Sequence, residues 1–132
     1  MAGSPGQGRP HPRVLVSVGA GGAAGTLARY GVGELLEPST LATLGVNLLG
    51  ALALGLVLGW APWQRRTSAA KPSLAQAFFA TGVLGGFTTY SALALDVVQL
   101  PLWQGAGYGL VTVIAGVLLA AAGMAVGRRV AR

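Results

Sequence analysis

Residues 82–91 read GVLGGFTTYS, and they stand in the middle of an apolar stretch that covers residues 74–100. Paired glycines, Gly85 and Gly86, followed after one residue by the β-branched Thr88 and Thr89, are a poor continuation for a helix. The threonine hydroxyls can bond the carbonyl groups that a break sets free. The pattern therefore predicts a membrane-length helix interrupted near its middle. A bilayer tolerates such an interruption only where it is buried in protein or lines a watery cavity.

Three more apolar stretches flank this one, over residues 14–36, 41–61 and 105–126. Each is close to the roughly 20 residues that a membrane-spanning helix needs. Composition agrees: 53% of the 132 residues are hydrophobic and 9% are charged, against about 25% charged in soluble domains. The predicted fold is an all-α membrane protein of four transmembrane helices, the third of them broken, in one domain over residues 14–127. Residues 1–13, rich in Gly, Pro and Arg, cannot bury enough apolar surface to order themselves and read as a disordered tail. Residues 128–132 form a basic C-terminal tail. The start of the first span resembles a signal-peptide core, but three spans follow it, which favours a retained helix. Ser39 or Thr40 is suited to cap the second helix, and Trp60 and Trp63 fall at interface depth.

Outside the spans, Arg9, Arg13, Arg65, Arg66, Lys71, Arg128, Arg129 and Arg132 all fall on one side, and the two loops on the other side carry no Lys or Arg. The positive-inside rule places both termini in the cytoplasm of a protein of the cell membrane. The formal charge of +6 comes from segment ends rather than from one basic face, which argues against a nucleic-acid partner. There is no cysteine, and the single His11 lies in the tail, so thiolate and histidine metal sites are not expected.

Small residues four apart recur: Gly21 with Gly25, Gly55 with Gly59, Gly105 with Gly109, Gly123 with Gly127. Close helix packing accounts for them without a chemical role. Four short helices are too few to enclose a pore alone, which implies a dimer. The polar residues at bilayer depth are Arg29, Asn47, Thr88, Thr89, Ser91, Tyr108 and Thr112, and such residues mark pathways. Asn47 lies too deep in its span for a cap, and it suits either an interhelical hydrogen bond or an ion ligand. Tyr108, Thr112 and Gly116 share one helical face. Hydrogen-bond donors dominate the set, whereas Glu34 and Asp96 lie near span ends and Glu37 lies in a loop. A cation path or a proton relay would want acids or carbonyls, so the chemistry points to an anion. No nucleophile and base pair can be assembled, and an enzyme is not expected.

Three segments, taken in order, resemble the signatures of the fluoride channel (Fluc/CrcB) family: GGAAGTLARY at 21–30, TLGVNLLG at 43–50 and GVLGGFTTYS at 82–91. The resemblance implies an antiparallel dimer with two fluoride pores. It also implies a structural sodium ion held by backbone carbonyls of Gly85 and Thr88 at the break. The fluoride pathway would fall on Asn47, Tyr90, Ser91, Tyr108, Thr112 and Arg29. Asp96 stands where the family commonly has glutamate. The family's two phenylalanines correspond to Tyr90 and Leu93, and Ala92 replaces a usual threonine; Leu93 lacks an aromatic edge. The charge bias adds a second departure and suggests a fixed-orientation subunit pairing with an oppositely oriented homologue. Two alternatives remain at this point. One is a small multidrug transporter, which needs an embedded glutamate that residues 14–28 lack; the other is a non-conducting partner subunit of a heteromeric channel.

Overall fold

A computed structural model describes residues 11–37, 39–60 and 73–131. Most of the predicted N-terminal tail, the loop with Arg65, Arg66 and Lys71, and Trp63 lie outside them. The described residues form four helical rods. Helix α1 (Pro12–Leu35) starts where His11 Nδ1 accepts from the Arg13 amide at 3.3 Å, with Pro12 in the first turn. That position suits proline, whose missing N–H would have no helical partner. Helix α2 (Ser39–Trp60) already contains Ser39 and Thr40. Neither residue therefore caps it as predicted, because a cap must stand outside the helical turns, and the preceding residue is not described.

The third rod begins at Ser73, whose Oγ accepts from the Gln76 amide at 3.1 Å. Its first half, α3, is α-helical over Leu74–Gln76, widens to a π-helix over Ala77–Val83 and tightens again over Leu84–Phe87. The predicted break follows at once. Thr88 (φ −75°, ψ 158°) and Thr89 (φ −146°, ψ 123°) are extended, and α4 (Tyr90–Gln99) resumes beyond them. Leu100 is extended before Pro101, as the steric bulk of a following proline favours. Helix α5 (Leu102–Val130) then takes in Arg128 and Arg129, so these two extend the helix beyond the predicted span. Three of the rods, Ser39–Trp60, Leu74–Gln99 and Leu102–Val130, are long and apolar enough to cross a membrane. With the short connection at Pro101 and the α1 rod, they make a multi-pass all-α membrane protein.

Glycines decide which rods touch. A Cβ on Gly55 or Gly59 would strike the Ala120 or Met124 carbonyl oxygen, and one on Gly123 or Gly127 would strike that of Leu52 or Leu56. Numbers rise together in both sets, so α2 and α5 run parallel, backbone against backbone. The same holds for α1 and α3, where Gly21 faces the Phe78 carbonyl and Gly25 that of Val83. Gly105 meets the Val97 carbonyl and closes the α4–α5 hairpin. Such close approach gains dispersion contacts that lipid cannot supply. In consequence Gly55→Ala should lose about 1–3 kcal/mol by overpacking. Gly107→Ala, at a helical position with nothing within 4 Å, should be neutral or stabilise by up to about 1 kcal/mol. Thermal unfolding of both variants in detergent micelles separates the two outcomes.

Candidate functional site

A helix break leaves donors and acceptors that must find partners in the absence of water. Here α2 supplies them. Asn47 Oδ1 accepts from the Thr89 amide at 2.8 Å, and Asn47 Nδ2 donates to the Thr89 carbonyl at 2.9 Å. The side-chain amide thus pairs with one residue's backbone as a neighbouring strand would. One turn on, Gly50 makes room for the Thr88 methyl group, which a Cβ there would overlap. Thr88 closes the first half on itself, because its amide and its Oγ1 both donate to the Leu84 carbonyl, at 3.1 and 3.0 Å. Thr89 Oγ1 opens the second half by accepting from the Ala92 amide at 3.3 Å and stands 3.2 Å from Ser91 Oγ.

Two cavities meet at this break. The first, about 290 Å3, lies between α1, α2 and α4; Arg29, Thr26, Ser39, Thr43 and Thr89 contribute its polar lining along with Tyr30. Arg29 is half-buried and is the one charged side chain among the described residues that line it. The second, about 330 Å3, is bordered by Asn47, Thr88, Thr89, Tyr90, Leu93 and Thr112, with Gly116 at its end. Thr89 borders both cavities.

The predicted site residues are therefore only partly gathered. Asn47, Tyr90 and Thr112 share the second cavity, Arg29 lies in the first, and Ser91 is exposed beside Thr89. Tyr108 lines neither. Its hydroxyl lies 2.9 Å from the Thr40 carbonyl and 3.2 Å from Asp96 Oδ2. Thr112 and Gly116 keep the shared face predicted for them, and Thr112 Oγ1 donates to the Tyr108 carbonyl at 2.7 Å. Asp96 is near its span end, as the sequence indicates, yet it is buried at 6% exposure; the interior is not free of acids. Sequence reasoning missed Thr26, Ser39 and Thr43 as cavity residues. Their only signal was hydroxyls beside the GGAAGTLARY and TLGVNLLG segments. Gly85 is exposed, with open space where its Cβ would be. No described group donates to the carbonyls of Gly85 or Thr88 outside regular helix bonding. No group of three or more His, Cys, Asp or Glu gathers among the described residues.

A bundle with a broken third rod, one arginine in a mid-bundle cavity and hydroxyls gathered at the break defines the class as a small all-α multi-pass membrane protein with a polar interior. Comparison with known sequences narrows it. The pattern of a family described as CrcB-like protein, Camphor Resistance (CrcB), matches residues 16–124. The chain is 39% identical over 124 residues to the fluoride-specific ion channel FluC of Paracoccus denitrificans, covering 86% of this chain and 94% of that one. It is 40% identical over 126 residues to fluoride-specific ion channel FluC 1 of Haloarcula marismortui, covering 92% and 91%. To FluC of Thermus thermophilus it is 42% identical over 97 residues, covering 70% and 72%. The chain belongs to the CrcB family.

The paired bonds to Thr89 give Asn47 a definite energetic weight. Asn47→Ala removes both and strands the Thr89 amide and carbonyl, so thermal stability should fall by about 2–4 kcal/mol. Asn47→Asp keeps the acceptor for the Thr89 amide but sets a carboxylate against its carbonyl, and should cost at least as much. Unfolding in detergent reads both values.

Proposed function

We propose that this chain is a subunit of a passive fluoride-selective channel that lowers cytoplasmic fluoride. The observation that carries the reading is the cavity in which Arg29 is the one charged side chain among the described residues, adjoining a hydroxyl-lined cavity at Thr89, in a chain of the CrcB family. The relatives named above are ion channels by name, not enzymes. Family membership sets aside the multidrug transporter.

In this reading the Arg29 guanidinium draws an anion out of water into the first cavity, since a fixed cation gains strength where the dielectric is low. Thr89 and Ser91 hydroxyls pass it across the break. The second N–H of Asn47, beyond the one bonded to Thr89, and the edge of Tyr90 receive it on the far side. Thr112 and then Tyr108 continue the path, once their hydroxyls turn from the carbonyls they now bond. Fluoride is small and strongly hydrated, so closely spaced donors are needed to replace its water. Liposomes containing this chain, with its partner if one is required, should release fluoride and retain chloride. Equal release of the two anions would refute the assignment, and Arg29→Gln should slow fluoride release at least about tenfold if the guanidinium draws the ion in.

The functional unit in this reading is an antiparallel dimer around a structural sodium ion. The Gly85 and Thr88 carbonyls suit a hard cation, which takes backbone oxygens without side-chain charge. Their freedom from other described donors supports that fit. The sodium would tie the broken rods of two subunits together. Both termini face the cytoplasm, on the bias of eight basic residues against none, and copies that all insert one way need an oppositely oriented homologue. Leu93, buried and lining the second cavity, fits a shared pore in which the partner supplies the aromatic edge. Cysteine labelling in the loop between α2 and α3 should then occur from the cytoplasmic side only. The dimer with the homologue should outlast, in sodium, the same dimer in N-methylglucamine. Labelling from both sides together with fluoride flux from this chain alone would instead make it a dual-topology homodimer.

A further inference from the structure

The hydroxyls of the polar interior differ in what they already bond. Thr88 Oγ1 and Thr112 Oγ1 each donate to the carbonyl four residues back. Thr89 Oγ1 accepts from the Ala92 amide and stands 3.2 Å from Ser91 Oγ, and the Tyr108 hydroxyl reaches the Thr40 carbonyl and Asp96. Thr43 is the exception. It is buried at 7% exposure, yet its Oγ1 takes part in none of the hydrogen bonds among the described residues. A threonine inside a helix can return its proton to the carbonyl four residues back, here that of Ser39, and Thr43 does not. It stands beside the Tyr108 hydroxyl without reaching hydrogen-bond geometry, and Tyr108 directs its own proton to Thr40 or Asp96.

Thr43 also borders the first cavity, the one that Arg29 lines. The other hydroxyls of that cavity are differently placed. Thr26, Tyr30 and Ser39 are exposed residues, and Thr89 is bonded at the break. A buried donor without a partner lowers stability, and such a group calls for a partner that comes and goes, an ion or a water.

We propose that Thr43 is a ligand of the anion in the first cavity and a determinant of its selectivity, its Oγ1 donating to the ion that Arg29 draws in. The inference rests on the fluoride-channel reading above. Arg29 attracts any anion, because charge alone does not tell one monovalent anion from another. A hydroxyl does tell them apart, since its bond is strongest to a small, hard acceptor. Thr43 gives up no internal hydrogen bond to make that contact, so the new bond counts in full toward the ion, unlike one from Thr88 or Thr112.

The test uses the full chain, with its partner if one is required, and Thr43→Val, which keeps the side chain's shape and removes the hydroxyl. The variant should melt in micelles at or above the parent's temperature, because no internal bond is lost. Fluoride should raise the parent's melting temperature relative to equal chloride, and the Val variant should lose most of that shift. Its fluoride release from liposomes should fall about tenfold, as loss of one hydrogen bond to a charged group implies. Thr43→Ser should keep both properties. In a Tyr108→Phe background Thr43→Val should cost the same factor; disappearance of the effect there would assign Thr43 to supporting Tyr108 and overturn the proposal. So would a Val variant that matches the parent toward fluoride, or one that melts well below it, which would show the hydroxyl bonded within the fold. Those outcomes leave the channel reading standing, whereas a parent chain indifferent to fluoride in both assays would overturn that reading and this inference together.

Discussion

Everything in this molecule leans on the pairing of the Asn47 amide with the backbone of Thr89. In a bilayer each unpaired backbone group costs several kcal/mol, so a broken helix survives only if another element takes over its bonds. Asn47 does so twice, Gly50 clears the space for Thr88, and Thr88 satisfies Leu84 from within. The position of α2 is in turn fixed by its glycine contact with α5, and that of α3 by its glycine contact with α1. Two tightly packed parallel pairs therefore hold the break between them. The break can be irregular because its surroundings are not.

The interior charges are kept apart in the same economy of partners. Arg29 borders the first cavity, whereas Asp96 is buried against the Tyr108 hydroxyl. Tyr108 has a single proton to give, and both the Thr40 carbonyl and Asp96 Oδ2 lie within reach of it. A carboxylate lining the same cavity as Arg29 would cancel the attraction of the guanidinium for an anion. Asp96 lines neither cavity, and Tyr108 bridges it to the Thr40 carbonyl, next along the chain to the Ser39 that borders the first cavity.

The break itself was legible, because Gly85, Gly86, Thr88 and Thr89 disfavour a helix for local reasons that no packing needs to supply. The excess of hydroxyl and amide donors over acids was legible too, although one of the acids near span ends, Asp96, turns out to be buried. Less could be read wherever one residue has to choose among partners. Gly55 and Gly127 mark close-packing faces by their spacing, but spacing does not say that α2 meets α5 rather than α1. Asn47 suited both a helix contact and an ion ligand, and only the position of Thr89 reveals the first of these. Asp96 looked peripheral along the chain and is buried, since depth in a span and burial in protein are separate quantities. The π-helix over Ala77–Val83 could not be read from AFFATGV, because poor helix formers there disfavour a regular helix without specifying wider turns.

The hydroxyl bonding also bears on selectivity. A count of side chains makes the proposed pathway rich in donors, but several of those donors are already committed. Thr88 donates to the Leu84 carbonyl, Thr112 to the Tyr108 carbonyl, and Tyr108 to Thr40 or Asp96. An anion that recruits these hydroxyls must first replace bonds worth about 1 kcal/mol each in net terms, and it does so in a medium where an unpaired carbonyl is expensive. A weakly hydrogen-bonding anion such as chloride recovers little by the exchange. Fluoride, which forms the strongest such bonds of the halides, recovers more at every position. In the proposed channel the rotation cost is common to both anions, so selectivity follows from the larger bond energy that fluoride recovers at each hydroxyl, set against its larger cost of dehydration.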